Sequence, residues 1–372
     1  MRITIVLLVM LFFTGIKAQT TKTIVHNSLT RQYIEYVPST YTGTESLPLI
    51  ICLHGLGDNM TNFSSIGMHL LGETENFITL YPQAQNSSIG TLWNAGVSYM
   101  GMTLNATVQD VGFINLLIDT TSSLYNIDPS RIYICGFSMG GFMAQRLACE
   151  SSYRIAAIAS VAGTRATSLV CSPTNPVPVC HFHGTADQTI PYSANPYGID
   201  TDTLIKYWVN FNECDINPTS ENLPDVVADN ITVEHFTYTN NGNGVTTELY
   251  KATGADHQWL YTPVNDMNYT VAIWEFFNKH QLQPASINQS VIQKKTNSSP
   301  NPASEYINIE SIEKEKGIVK IVDLRGNIIS SYTKEANVKT IPTSKLKPGI
   351  YNIRFTPLDT KKETTVTKFV KQ

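Results

Sequence analysis

Between residues 33 and 280, short and almost unbroken apolar runs alternate with segments of helical period, and this alternation limits the fold more than any other feature. The runs lie at residues 47–53, 78–81, 131–136, 155–161 and 177–182. A strand wetted on one face alternates apolar and polar residues. A continuous run suits burial on both faces, the condition of a strand inside a mainly parallel sheet. Helical patterns at 110–125, 140–149, 200–211 and 266–279 supply the covering layers. The expected fold class is therefore α/β, with a mainly parallel central sheet and its chemistry at the carboxyl ends of the strands.

Beyond His280 the texture changes. Residues 281–302 are rich in Gln, Asn, Ser and Pro and read as a linker. Short strand-like segments follow at 306–310, 318–323, 328–332, 350–355 and 364–370, with turn signals at Arg325-Gly326-Asn327 and Pro348-Gly349. They predict a small all-β, sandwich-like domain near the lower size limit for independent folding. Charge marks the same division: residues 301–372 carry 13 Lys and Arg against 8 Asp and Glu, a net of +5, whereas residues 1–300 carry a net of −9.

At the other end, Met1-Arg2 precedes an apolar stretch over residues 3–13, and Ala18 offers a cleavage site before Gln19. That stretch is too short to span a bilayer and fits a secretory h-region. The expected organisation is a signal peptide at 1–18, an α/β domain at 19–282, a linker at 283–299 and a β-rich domain at 300–372. The mature chain is expected to be secreted, without a transmembrane segment. A composition of 42% hydrophobic and 15% charged residues excludes an intrinsically disordered chain, and a net charge of −4 leaves no footprint for nucleic acid.

Export permits disulfides, but the six cysteines allow 15 connectivities. Cys52, Cys135 and Cys180 sit in apolar strand-like runs, where a free thiol behaves as a small hydrophobe. Cys149, Cys171 and Cys214 occupy loop or helix-end contexts and are the better pairing candidates. No C-x-x-C pair occurs, and no metal site is expected.

Gly136-Phe137-Ser138-Met139-Gly140 stands between the run at 131–135 and the helical pattern beginning near Gly141. This is a G-x-S-x-G nucleophile elbow in its strand–turn–helix context. Glycine suits both flanks because a Cβ would clash in the tight turn, and the serine stands at a helix N-terminus, where developing negative charge is favoured. The alternative is a glycine-rich turn capped by a serine. A serine nucleophile needs a base and an orienting acid, which in this class of sheet follow in the order Ser, Asp or Glu, His. Asp187 follows the run at 177–182 in Gly184-Thr185-Ala186-Asp187, and His257 follows a further strand and Gly254. His280 at a helix end, His235 in mid-strand and Asp256 beside the histidine are weaker rivals. His181 and His183 are expected to satisfy structural hydrogen bonds. For an oxyanion, the backbone N–H of Met139 is one donor and that of Leu56, in Leu53-His54-Gly55-Leu56-Gly57, is the other.

At these residues the chain resembles the secreted polyhydroxybutyrate depolymerase-like and feruloyl or acetylxylan esterases of carbohydrate esterase family 1, which have the α/β-hydrolase fold. The likeness spans roughly residues 32–281. It includes Tyr81-Pro82, Trp93-Asn94-Ala95-Gly96, Ile190-Pro191-Tyr192 and His257-Gln258-Trp259 besides the elbow and the two loops. It implies Ser138, Asp187 and His257 as the catalytic triad and Trp93 and Trp259 as substrate-binding walls of the acyl pocket, a buried core tryptophan being the alternative. The chain departs from the family pattern in lacking cysteines over residues 97–100 and in placing Leu260 where a proline is usual, and both changes touch substrate loops. The C-terminal module, with Pro300-Asn301-Pro302-Ala303 and Pro348-Gly349-Ile350-Tyr351, resembles the type IX secretion sorting domain, which implies the type IX secretion machinery as a partner.

The expected activity is that of a serine esterase acting without a cofactor on an ester-bearing polysaccharide, feruloyl or acetyl esters of plant xylan foremost. Polyhydroxybutyrate or another short polyester is the alternative substrate. A peptidase on the same fold and a non-catalytic surface binding protein are the competing classes.

Overall fold

Leu49, Ile51 and Leu53 pack into one apolar cluster while Ile50 and Cys52 pack into another, so a single strand feeds two cores, one on each face of a sheet. The computed structural model that shows this describes residues 20–282, 298–309, 312, 314–322, 328–358 and 364–372. The expected signal peptide at 1–18, most of the expected linker at 283–299 and the expected turn at Arg325-Gly326-Asn327 lie outside the described residues. The chain forms two compact units, Met1–Ala285 and Ser286–Gln372.

In the first unit the strands are β1 (Thr20–His26), β2 (Leu29–Tyr36), β3 (Leu47–Leu53), β4 (Ile78–Pro82), β5 (Gln85–Ser87), β6 (Gly90–Leu92), β7 (Ser98–Tyr99), β8 (Met102–Thr103), β9 (Ile127–Phe137), β10 (Ala157–Val161), β11 (Val179–Gly184), β12 (Thr219–Asn222), β13 (Thr232–Thr239) and β14 (Thr246–Thr253). The helices are α1 (Met60–Phe63), α2 (Met68–Glu75), α3 (Asp110–Leu124), α4 (Met139–Glu150), α5 (Thr201–Phe211) and α6 (Tyr269–Asn278).

Ten strands form one sheet in the order β1-β2-β4-β3-β9-β10-β11-β14-β13-β12. The six inner strands, β4 to β14, run parallel, and antiparallel pairs close both edges. All residues of β3, β4, β10 and β11 are buried, as unbroken apolar runs require. Phe113 and Leu117 of α3, Phe142 and Leu147 of α4 and Trp208 of α5 cover one face. Met68 of α2 and Ile273, Trp274 and Phe277 of α6 cover the other. Each such side chain, fully buried, contributes about 1.5–3 kcal/mol relative to exposure. Among the described residues no helix is long and apolar enough to cross a membrane.

Cys149 and Cys171 form a disulfide that ties the end of α4 to the segment before β11. Cys214 corrects the expectation of pairing: it is a buried free thiol against Ile205, Val209 and Leu249. Cys52, Cys135 and Cys180 are buried free thiols in their strands.

The second unit holds β15 (Ser298–Ser299), β16 (Tyr306–Ile309), β17 (Gly317–Val322), β18 (Ile328–Lys334), β19 (Thr340–Pro342), β20 (Gly349–Pro357) and β21 (Thr364–Lys371). They form two antiparallel sheets, β15-β16-β19 and β18-β17-β20-β21. Ile307, Val319, Ile353 and Phe355 fill the core. Residues 298–299, read from sequence as linker, are the first strand of this unit, paired with Ile309 and Asn308.

Candidate active site

β9 ends in the elbow. Ser138 adopts φ +53° and ψ −120°, a backbone conformation that costs a non-glycine residue roughly 1–3 kcal/mol and persists only where the surroundings impose it. Its N–H donates to the Val161 carbonyl at 2.8 Å and its own carbonyl accepts the Phe142 N–H at 3.0 Å, so β10 and the first turn of α4 hold it from both sides. A Cβ on Gly136 would lie 2.2 Å from the Gly140 carbonyl oxygen, and one on Gly140 would lie 2.0 Å from that of Leu53. Both contacts are with backbone and cannot relax. Although Ser138 occupies the N-cap of α4, its side chain caps nothing. The capping alternative therefore fails, and the hydroxyl is left for chemistry.

The loops after β11 and β14 are laced together. Thr185 N–H donates to the Ala252 carbonyl, Ala186 N–H to that of Ala255, each at 3.0 Å, and Gln188 N–H to the Asp256 carboxylate at 3.0 Å. Asp256 also takes the His257 N–H at 2.8 Å, so it braces the loop and does not face the imidazole ring. Asp187 does: its Oδ2 lies 2.8 Å from His257 Nδ1. Its Oδ1 accepts the N–H groups of Thr189 at 2.9 Å and Ile190 at 2.8 Å. Burial alone would raise the Asp187 pKa, but hydrogen bonds from His183, His257 and the Ile190 N–H outweigh it and hold the carboxyl well below the usual carboxylate range. The His257 ring lies against Phe137, centroids 4.7 Å apart.

The loop after β3 stands beside the elbow, with a Cβ placed on Gly55 lying 3.4 Å from that of Ser138. Its conformation is fixed from beneath. His54 Nδ1–H donates to the Gly55 carbonyl at 2.7 Å, and Nε2 accepts the Ala84 N–H at 3.1 Å. The His54 carbonyl takes the Trp93 indole N–H at 2.9 Å, and Gly57 N–H bonds to the Thr91 carbonyl at 2.8 Å. Burial pushes the His54 pKa down, which keeps the ring neutral in this role. Among the described residues, no acceptor takes the Leu56 N–H. The Met139 N–H, in the first turn of α4, has no acceptor within its helix.

Ser138, Met139, Leu56 and His257 line one cavity of about 400 Å³. Its remaining walls are chiefly apolar and include Ile89, Val97, Tyr99, Leu104, Phe142, Ile190 and Tyr197. Neither tryptophan is among the lining residues. Trp93 is fully buried under the loop it anchors. Trp259 stands behind Phe137, centroids 6.4 Å apart, with its N–H on the Thr270 hydroxyl at 3.2 Å. Nothing in the sequence marks Tyr99 and Tyr197, because a hairpin and a loop nearly 100 residues apart meet only in the fold.

Residues 42–198 match the phospholipase/carboxylesterase family model, and residues 299–372 match the secretion system C-terminal sorting domain. The solved acetyl xylan esterase from Aspergillus awamori superposes over 70% of this chain and 99% of its own, with a TM-score of 0.51 and 17% identity. The first unit has the α/β-hydrolase fold. Feruloyl esterase B of Piromyces equi is 30% identical to this chain over 168 residues, covering 44% of the chain and 30% of the relative. A bifunctional acetylxylan esterase/xylanase of Neocallimastix patriciarum is 26% identical over 247 residues, covering 66% and 32%. Poly(3-hydroxyalkanoate) depolymerase C of Paucimonas lemoignei is 28% identical over 135 residues, covering 36% and 31%. The chain thus spans about a third of the length of these curated relatives. Its sorting domain marks the chain for secretion.

Proposed function

We propose that this secreted hydrolase is a serine esterase, with residues 19–282 as the catalytic domain and residues 300–372 as the part handled by the type IX secretion machinery. The observation that carries the reading is a serine at a strained elbow, its hydroxyl engaged in no cap, sharing a cavity with a histidine whose far nitrogen is held by a buried carboxylate. Ser138 Oγ attacks the ester carbonyl, and His257 Nε2 takes the proton. The N–H groups of Met139 and Leu56 bind the oxyanion. Collapse transfers the proton from His257 to the leaving alcohol and leaves an acyl-serine. Water, deprotonated by the same histidine, then releases the acid and restores Ser138.

Among substrates, feruloyl esters of plant xylan fit better than acetyl esters. A cavity of about 400 Å³ with apolar and aromatic walls lies in the range of pockets for drug-sized ligands, ~300–1,000 Å³, and exceeds what an acetyl group fills. The curated feruloyl and acetylxylan esterase relatives support the same class. A second reading, a short polyester such as polyhydroxybutyrate, is supported by the exposed apolar residues Leu56, Ile89, Met100 and Met102 on nearby loops and the β7–β8 hairpin and by the depolymerase relative. Initial rates on methyl ferulate and on a 3-hydroxybutyrate oligomer, with Ser138→Ala as blank, decide between them. Activity on neither, with Ser138 still labelled by a fluorophosphonate, would keep the mechanism and overturn the substrate class.

A further inference from the structure

Behind Asp187, buried polar side chains form a chain that runs in one direction through the sheet. Trp208 Nε1–H donates to Gln145 Oε1, and Gln145 Nε2–H donates to Ser160 Oγ, both at 2.8 Å. Ser160 Oγ lies 2.7 Å from His181 Nδ1, and His181 Nε2 lies 3.0 Å from His183 Nδ1. His183 Nε2 lies 2.8 Å from the Ile190 carbonyl and 3.5 Å from Asp187 Oδ2.

The proton positions follow from the end of the chain. A carbonyl only accepts, so His183 Nε2 carries hydrogen. Its Nδ1 in the neutral ring must then accept, from His181 Nε2–H and from the Thr201 hydroxyl at 3.0 Å. That leaves His181 Nδ1 to accept the Ser160 O–H, whose oxygen takes the Gln145 amide. Every donor points toward Asp187. Burial and the neighbouring His183 hold the His181 pKa well below its ordinary value, consistent with a neutral ring.

Five of these side chains (Trp208, Gln145, Ser160, His181 and His183) are no more than 1% exposed. An apolar core would fill the same volume without burying so many polar groups, each of which costs about 1–3 kcal/mol if left unpaired. The chain ends on the residue that grips the carboxylate: the Ile190 carbonyl is held by His183 while the Ile190 N–H holds Asp187 Oδ1. We propose that His183 is a positioning residue for Asp187, supported from behind by His181, Ser160 and Gln145. This rests on the reading of Ser138, His257 and Asp187 as a triad. Titratable and charged groups facing the chain are Tyr192, whose ring lies 5.6 Å from that of His183, Asp202, which accepts the Tyr192 hydroxyl at 3.1 Å, and Tyr207, whose ring lies 5.1 Å from that of Trp208 and is covered by Arg165.

The test uses the full chain, 4-nitrophenyl acetate as a generic ester, and the variants His183→Phe, His183→Gln and Ser160→Ala. With the His183 N–H gone, Asp187 shares its charge less and stabilises the His257 imidazolium more. The acidic limb of kcat/KM then moves to higher pH by about half a unit. Looser placement of the carboxylate lowers kcat by up to about 10²-fold with KM within about twofold. His183→Gln, whose amide can again donate to Ile190, recovers most of kcat, and Ser160→Ala gives a smaller change of the same sign. An unchanged kcat and pH profile in folded His183→Phe overturns the proposal. If that variant does not fold, an unchanged kcat and profile in Ser160→Ala overturns it. Turnover that survives Ser138→Ala sinks the triad reading itself, a failure distinct from the first two.

Discussion

His257 Nδ1 lies 2.8 Å from Asp187 Oδ2, although 70 positions of chain separate the two residues. A carboxylate kept ionised can only accept, so Nδ1 carries the hydrogen and Nε2 offers its lone pair on the other side of the ring. The acid thereby chooses the tautomer as well as the orientation of the base.

Asp187→Asn tests that choice. An amide can turn its N–H toward Nδ1 and stabilise the wrong tautomer, while Thr189 and Ile190 still hold the loop. We expect kcat to fall by about 10⁴, the magnitude known for the same change in serine proteases, with KM little altered. Steady-state kinetics on a soluble ester reads this directly. A loss below tenfold would mean that another group orients His257.

The same carboxylate links stability to pH. Its folded pKa is depressed, so ionised Asp187 contributes stability above the unfolded value near 3.9 and loses it as pH falls toward the folded value. Asp187→Asn lacks this contribution at every pH. The Tm gap between wild type and variant should therefore be widest above about pH 5 and shrink steadily below pH 4. Thermal melts from pH 7 to pH 3 measure it, and a constant gap would contradict the assignment.

How much of this was legible beforehand differs from residue to residue. The parallel core showed in the unbroken run of β3, and the elbow showed because Gly136 and Gly140 tolerate no Cβ. β1 was not legible: Thr20–His26 is half exposed, carries no apolar run and is a strand only because β2 pairs with it. Trp93 and Trp259 leave two readings open, pocket wall or buried core, because an aromatic residue beside a motif has the same sequence signature whether it lines a cavity or supports a loop; the cavity lining includes neither. His183 makes the structural hydrogen bonds expected of it, to His181, Thr201 and the Ile190 carbonyl, but which elements supply those partners shows only in the fold.

Gly140→Ala should be among the most damaging single-methyl additions in the chain. The new Cβ meets the Leu53 carbonyl at 2.0 Å and the His54 carbonyl oxygen at 2.7 Å, and both belong to the strand and loop that carry Leu56. Relief requires moving β3 or α4, at a cost on the order of 3–5 kcal/mol. Gly101→Ala, where a Cβ meets nothing within 4 Å, is the control for added bulk, although its φ of +79° brings a smaller strain. Urea denaturation should separate the two clearly, and equal stabilities would overturn the packing argument.

The Cys149–Cys171 bridge closes a loop across 22 positions of sequence. Restricting an unfolded loop of that size is worth about 3 kcal/mol in the chain-entropy account. For a protein of this size such a loss lowers Tm by roughly 6–12 °C. The Cys149→Ser, Cys171→Ser double variant should melt lower by that amount and be insensitive to reductant. Wild type in dithiothreitol should fall to the same Tm. If reductant left wild type unchanged, the thiols would be unpaired in solution.

Tyr99 and Tyr197 face the same cavity with ring centroids 6.3 Å apart and planes inclined by 31°. Tyr99 belongs to the short β7–β8 hairpin, and Tyr197 to the segment between β11 and α5. An aromatic acyl group lying in the cavity against both rings would gain offset or edge contacts worth about 0.5–1.5 kcal/mol beyond area burial, whereas an acetyl group is too small to touch both. Tyr197→Ala should therefore raise KM for methyl ferulate by roughly 2–12-fold while leaving hydrolysis of 4-nitrophenyl acetate within twofold. Tyr99→Ala, on the more exposed partner, should act in the same direction and more weakly. A uniform loss on both esters would place the tyrosines in the support of the triad loops, and an effect confined to the oligomer of 3-hydroxybutyrate would assign them to a polyester chain.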